Sequence, residues 1–193
     1  MKNVNLFLVT MCIMKLFKIA ISILFVLFIS ISYGQQHFPK SWVGNYEGEL
    51  QIFGVDSVLM KAEMKLAIQP KTDSIFQYKI TYIMNGKKDV RDYELKVKSI
   101  EKGQYVIDEK NSILIDAYYK NNTLSSMFTV EHFNLLSSIT KHNEDLIFEI
   151  ISVNTTLSNT SGNTVHNEQQ IPKVTSYKIS GRQKAILKLV LSD

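Results

Sequence analysis

Beyond its first few dozen residues the chain alternates apolar and polar side chains with a period of two. From Met60 to Ile68, Met60, Ala62, Met64, Leu66 and Ile68 fall on one side, and Lys61, Glu63, Lys65 and Ala67 fall on the other. Successive side chains of a strand point to opposite faces, so this run predicts a strand with one apolar and one wet face. Phe76, Tyr78, Ile80, Tyr82 and Met84 then alternate with Gln77, Lys79 and Thr81, and the run stops at Asn85-Gly86. Both of those residues tolerate the positive φ of a type I′ turn, which predicts a tight hairpin. With Lys87-Lys88 assigned to the turn, Tyr93, Leu95 and Val97 alternate with Asp92, Glu94, Lys96 and Lys98 in a third strand.

Weaker punctuation continues the pattern. Lys102-Gly103, Lys110-Asn111, Asn121-Asn122 and His142-Asn143 separate β-prone runs at Tyr105 to Asp108, Ile113 to Tyr119, Leu124 to Val130 and Leu146 to Val153. Between Met127 and Ile139 a three-residue spacing of apolar positions competes with alternation. The β-branched and aromatic content favours two strands there. Residues 154–172 are rich in Asn, Thr, Ser and Gln and read as one long polar loop before a closing pair of strands, Val174 to Ile179 and Ala185 to Leu191. The sum is an all-β domain of about ten sequential strands, of which eight to ten would close an antiparallel up-and-down barrel, the closure that removes exposed edges; a β-sandwich is the alternative.

The first 34 residues follow a different rule. Lys15 and Lys18 precede an apolar run from Ile19 to Ile31, followed by Ser32-Tyr33-Gly34. A basic region, an apolar region and small residues at a cleavage point are the three parts of a secretory signal. The apolar run is shorter than the roughly 20 residues a membrane-crossing helix needs. Residues 1–34 are therefore expected to be a cleaved signal peptide, with Met14 as an alternative start. Residues 35–193 form the single expected domain, exported to the periplasm or the exterior.

Removing that segment changes the charge. The whole chain carries 22 Lys and Arg against 18 Asp and Glu. Lys2, Lys15 and Lys18 lie in the segment with no acidic residue beside them, which leaves 19 basic against 18 acidic side chains. A net +1 with no basic block gives no electrostatic footprint for nucleic acid. The sole cysteine, Cys12, also lies before the cleavage point, so the mature domain can form neither a disulfide nor a thiolate zinc site. It is large enough to hold together by packing alone.

The stretch Pro39-Lys40-Ser41-Trp42-Val43-Gly44-Asn45-Tyr46-Glu47-Gly48 resembles the opening of bacterial lipocalin-like barrels, in which a Trp and nearby glycines mark the first strand. The resemblance implies that Trp42 closes the barrel bottom beneath a basic side chain of the last strand. Arg182 is the candidate for that role, in a barrel-closing pair worth about 0.5 to 2 kcal/mol as a cation–π contact. It also implies that the barrel interior holds one small apolar or amphipathic molecule. The expected inner face offers Tyr46, Met64, Phe76, Tyr78, Tyr82, Met84, Tyr93, Tyr105, Phe128 and Tyr177. Tyrosine rings with a hydroxyl and adaptable methionines suit such a ligand, although the same residues would equally fill a core.

Signals for other chemistry are thin. His37, His132, His142 and His166 have neither the helical spacing of a zinc protease nor a carboxylate cluster, and Gly44 and Gly48 lie on a strand rather than before a helix. No catalytic motif is found, so no enzyme activity and no cofactor or metal is expected. An outer-membrane barrel would need an apolar outward band, and the faces opposite the aromatic ones carry Lys61, Glu63, Lys65, Lys79, Glu94, Lys96 and Lys98. The sequence thus points to an exported barrel that binds a small molecule, not inserted in a membrane after signal cleavage. A secreted interaction module with a filled core, working through its surface and the 154–172 loop, is the competing reading. The sequence is silent on oligomeric state.

Overall fold

The computed structural model describes residues 37–191, so the expected signal segment lies outside the described residues. By internal contacts the chain divides into residues 1–41 and 42–193. Of the first unit only residues 37–41 are described, where the Ser41 N–H donates to the His37 carbonyl at 3.2 Å. A 3₁₀ turn covers Lys40–Trp42.

The second unit is the barrel. Its strands are β1 (Gly44–Phe53), β2 (Val58–Pro70), β3 (Ile75–Met84), β4 (Lys87–Ser99), β5 (Gln104–Asp108), β6 (Leu114–Lys120), β7 (Thr123–Val130), β8 (Phe133–His142), β9 (Asp145–Ser161), β10 (Thr164–His166), β11 (Gln169–Ile171) and β12 (Val174–Val190). Ten of them close an antiparallel barrel in the order β1, β12, β9, β8, β7, β6, β5, β4, β3, β2, and β10 and β11 form a separate two-stranded ribbon. Apart from the β9-to-β12 connection each strand pairs with its neighbour in sequence, as the meander of short turns anticipates. The sandwich alternative is excluded. Asn85 and Gly86 adopt φ of 51° and 75°, and Asn121 and Asn122 adopt 45° and 59°, so these pairs make the tight turns their side chains favour. The ambiguous stretch is β7 and β8, joined at Glu131-His132.

Register fixes the inner face. Met64 pairs with Tyr82, Leu66 with Ile80 and Ile68 with Tyr78, while Leu124 pairs with Ile139 and Ile139 with Phe148. At the end where β1 begins, these inward side chains form a dry floor: Trp42, Tyr46, Met64, Leu66, Ile68, Phe76, Leu95, Tyr105, Ile139, Leu146 and Leu187 are almost wholly buried. No buried side-chain polar atom is left without a partner among the described residues. The outer face carries ion pairs that cross between strands, Lys65 to Glu47 at 2.8 Å, Lys96 to Asp108 at 2.6 Å and Lys98 to Asp116 at 2.7 Å, and one from the β2–β3 turn, Lys71 to Glu94 at 2.8 Å. No helix among the described residues is long and apolar enough to cross a membrane.

Two expectations need correction. Residues 154–172 are not a loop. Most of them prolong β9 and build the β10–β11 ribbon, which turns at Asn167-Glu168 with φ of 47° and 62°. Polar composition there marks a ribbon wetted on both faces rather than an absence of strand. The two closing strands are likewise one, β12, running unbroken through Gly181 and Arg182. β9 and β12 pair as far as Ser161 and Val174. Asn154 is the last β9 residue paired with β8, so the seven residues 155–161, at about 3.3 Å each, carry this arm roughly 23 Å past the barrel rim. Asn154 to Thr156 lie opposite Lys178 alone, an irregularity of the kind that bends a ribbon where it leaves its sheet.

Candidate functional site

The upper half of the barrel is hollow. A cavity of about 640 Å³ is walled by Leu50, Ile52, Met60, Ala62, Tyr82, Met84, Leu135, Ile150, Ser152 and Gln183, with Asn85, Lys87, Lys88, Asp89 and Arg91 toward the rim. Its size lies within the roughly 300–1,000 Å³ usual for small-molecule sites. Alternation builds it: Leu50 and Ile52, Met60 and Ala62, Tyr82 and Met84, and Ile150 and Ser152 are inward positions two residues apart on β1, β2, β3 and β9. Two residues nearer the floor on the same rows, Met64, Ile80 and Phe148 are buried, so the barrel is a cup.

The register of β4 sets the polar part. Tyr82 pairs with Asp89, Ile80 with Arg91 and Met84 with Lys87. Period two therefore runs from Leu95 through Tyr93, Arg91, Asp89 and Lys87 on the inner face, and Lys87-Lys88 starts the strand instead of belonging to the turn. The Arg91 guanidinium lies over the Tyr82 ring, 5.0 Å from its centroid. Its Nε and Nη2 donate to a single oxygen of Asp89, Oδ2, at 3.2 and 3.1 Å. Burial raises the Tyr82 hydroxyl above the ordinary tyrosine value, with the Arg91 charge opposing the rise. Burial also raises Tyr93, and so does the Glu109 carboxylate beside it. This cluster was legible only by carrying the alternation of Tyr93, Leu95 and Val97 back across the charged residues.

The expected lining residues divide. Tyr82 and Met84 stand in the cavity wall. Tyr46, Met64, Phe76, Tyr78 and Tyr105 are buried in the floor instead. Tyr93 and Phe128 are half-buried on the inner side, outside the cavity wall, and Tyr177 is exposed on the arm. Tyr46 donates from its hydroxyl to the Trp42 carbonyl at 3.0 Å, and Trp42 meets Tyr119 edge-on at 5.9 Å between ring centroids.

Trp42 and Arg182 are not a barrel-closing pair. Trp42 precedes the first residue of β1, whereas Arg182 pairs with Phe53, its last. The length of β1 separates them by roughly 30 Å. Phe53 falls on the outer face, and Arg182 lies over its ring at 5.7 Å while binding Glu149 at 2.6 Å. Trp42, Tyr46 and Tyr119 stand together in the floor.

Among the described residues no cluster of three or more His, Cys, Asp or Glu side chains could hold a metal ion. Fold and cavity together define the class: a closed ten-stranded up-and-down barrel with a solid floor and a hollow upper half, an architecture consistent with the lipocalin-like fold. Neither protein-family models nor curated proteins give a match to this chain.

Proposed function

We propose that the protein is an exported lipocalin-like barrel that binds one small apolar or amphipathic molecule in its cup. The cavity carries this reading: about 640 Å³ with a mostly aliphatic wall that includes Tyr82, Ser152 and Gln183, and with the charged side chains gathered toward the rim. A buried apolar wall supplies the affinity, about 25 cal/mol for each Å² of ligand and wall removed from water, and the few polar groups orient the ligand. The ion pairs crossing the outer face favour a barrel surrounded by water, because a lysine or arginine facing lipid at the midplane costs about 2–4 kcal/mol. Export rests on the N-terminal signal pattern.

Native mass spectrometry of the purified protein and titration with a hydrophobic dye test the binding reading. Saturable binding at one dye per chain, abolished when Ala62→Trp fills the cup, is the expected result. A protein with no co-purified molecule and no dye binding would sink it. Intact mass of the secreted product tests the export reading, which expects a chain beginning at Gln35.

The arm favours a second reading, an interaction module. It is exposed along Leu157 to Ser176 save for a half-buried Ile171, and none of its residues lines the cavity. A lid would gain protection from proteolysis when the cup is filled, whereas a partner-binding arm would not respond to small molecules.

A further inference from the structure

We propose that the cup selects an amphiphile with a single anionic headgroup, held at the rim by Arg91 and Lys87, with Lys88 beside them at the start of β4, while its apolar tail lies against the wall. This inference rests on the reading of the cup as a ligand site and adds the charge and polarity of what enters it. The charges on the cavity wall are unequal. Lys87, Lys88 and Arg91 are cationic, and Asp89 is the one acidic side chain among the residues that line it. On the outer face of β2 and β4, Lys61, Lys65, Lys96 and Lys98 each bind a carboxylate within 3.0 Å. Lys87 and Lys88 have no such partner among the described residues. Glu109 lies beside Tyr93 rather than in the wall, and counting it still leaves the rim positive.

Arg91 is already oriented. One Asp89 oxygen takes both Nε and Nη2, and the Tyr82 ring supports the guanidinium face. A guanidinium held in one geometry loses little further freedom when it binds an anion, and its charge-assisted hydrogen bonds are stronger than neutral ones. Elsewhere in the wall, Leu50, Ile52, Ala62, Leu135 and Ile150 present no charge and no hydrogen-bonding side chain. A cationic headgroup would face like charge, and a molecule charged at both ends would bury one charge unpaired. An anion joined to an apolar tail meets both regions of the cup.

The test uses protein purified from cells expressing the full-length gene, with a fluorophore bound in the cup and displaced by decanoate, decanol or decyltrimethylammonium. Decanoate should displace it at a concentration about tenfold below decanol, the equivalent of about 1.4 kcal/mol, with the cation weakest. Added salt should shrink the preference, because rim charges are screened. Arg91→Gln, and separately Lys87→Gln with Lys88→Gln, should reduce the ratio of decanoate to decanol affinity. The lysine variant removes no ion pair, so it decides the matter if Arg91→Gln does not fold. Equal displacement by the three probes, or a preference for the cation, would overturn the anion assignment and leave the cup a ligand site. Failure of the fluorophore and of all three probes to bind would overturn both.

Discussion

Leu146 and Ile150 lie on the same inner face of β9, one turned into the floor and the other into the cup, so truncating each to alanine measures the difference between the two halves. Four residues separate them, about 13 Å along the strand. Leu146 is 0% exposed and packs among side chains that are also buried, Leu187 included. Leu146→Ala removes three carbons, about 2.4 kcal/mol of transfer free energy at about 0.8 kcal/mol each. Its rigid surroundings leave a void that adds to the loss, for a total of about 3–5 kcal/mol. Ile150→Ala removes the same number of carbons. Ile150 already borders open space, so part of that surface was never withdrawn from water and no new void is sealed. The expected loss there is about 1–1.5 kcal/mol. Urea unfolding resolves the difference as a midpoint shift at unchanged slope. Equal losses at the two positions would refute the division into a solid floor and a hollow cup, and the ligand reading would lose its cavity.

Two further outcomes follow from the packing and the tyrosines. A Cβ on Gly48 would collide with the backbone oxygen of Ile186 across the β1–β12 seam, so Gly48→Val should cost about 1–3 kcal/mol, read as a lowered thermal midpoint. A stability within error of the parent would show that the seam gives way. Burial raises the hydroxyls of Tyr78, Tyr82, Tyr46 and Tyr105 above their ordinary value of 10.0. Below pH 10 these tyrosines are neutral folded or unfolded. Above it the unfolded chain loses their protons before the folded barrel does, so stability should fall as pH rises. Tyrosinate absorbance should accordingly show a group of tyrosines that ionise only as the barrel unfolds; smooth titration of all of them in folded protein would contradict their burial.

The alternation of Met60 to Ile68 and Phe76 to Met84, together with Asn-Gly at the right distance, was enough to specify strands, faces and turns. These are local properties: side-chain direction repeats every two residues, and positive φ depends on the residue at the turn. The arm was misread for a local reason too, since a ribbon wetted on both faces carries no apolar signal to distinguish it from a loop. Arg91 and Asp89 carry no inward signal of their own, because charge ordinarily marks a wet face, yet register places them inward beside Tyr82. Closure, and the level at which packing gives way to open space, depend on how far each strand slides against its neighbours. That is why Tyr82 lines the cup while Tyr46, Tyr78 and Tyr105, with the same residue type and the same alternation, fill its floor. Alternation and turn residues alone specify a meander of strands and which side of each is apolar. That Arg182 lies outside and far from Trp42, and that part of the apolar interior is left open, follows from height along the barrel, which is set by pairing between strands and leaves no mark on any one of them.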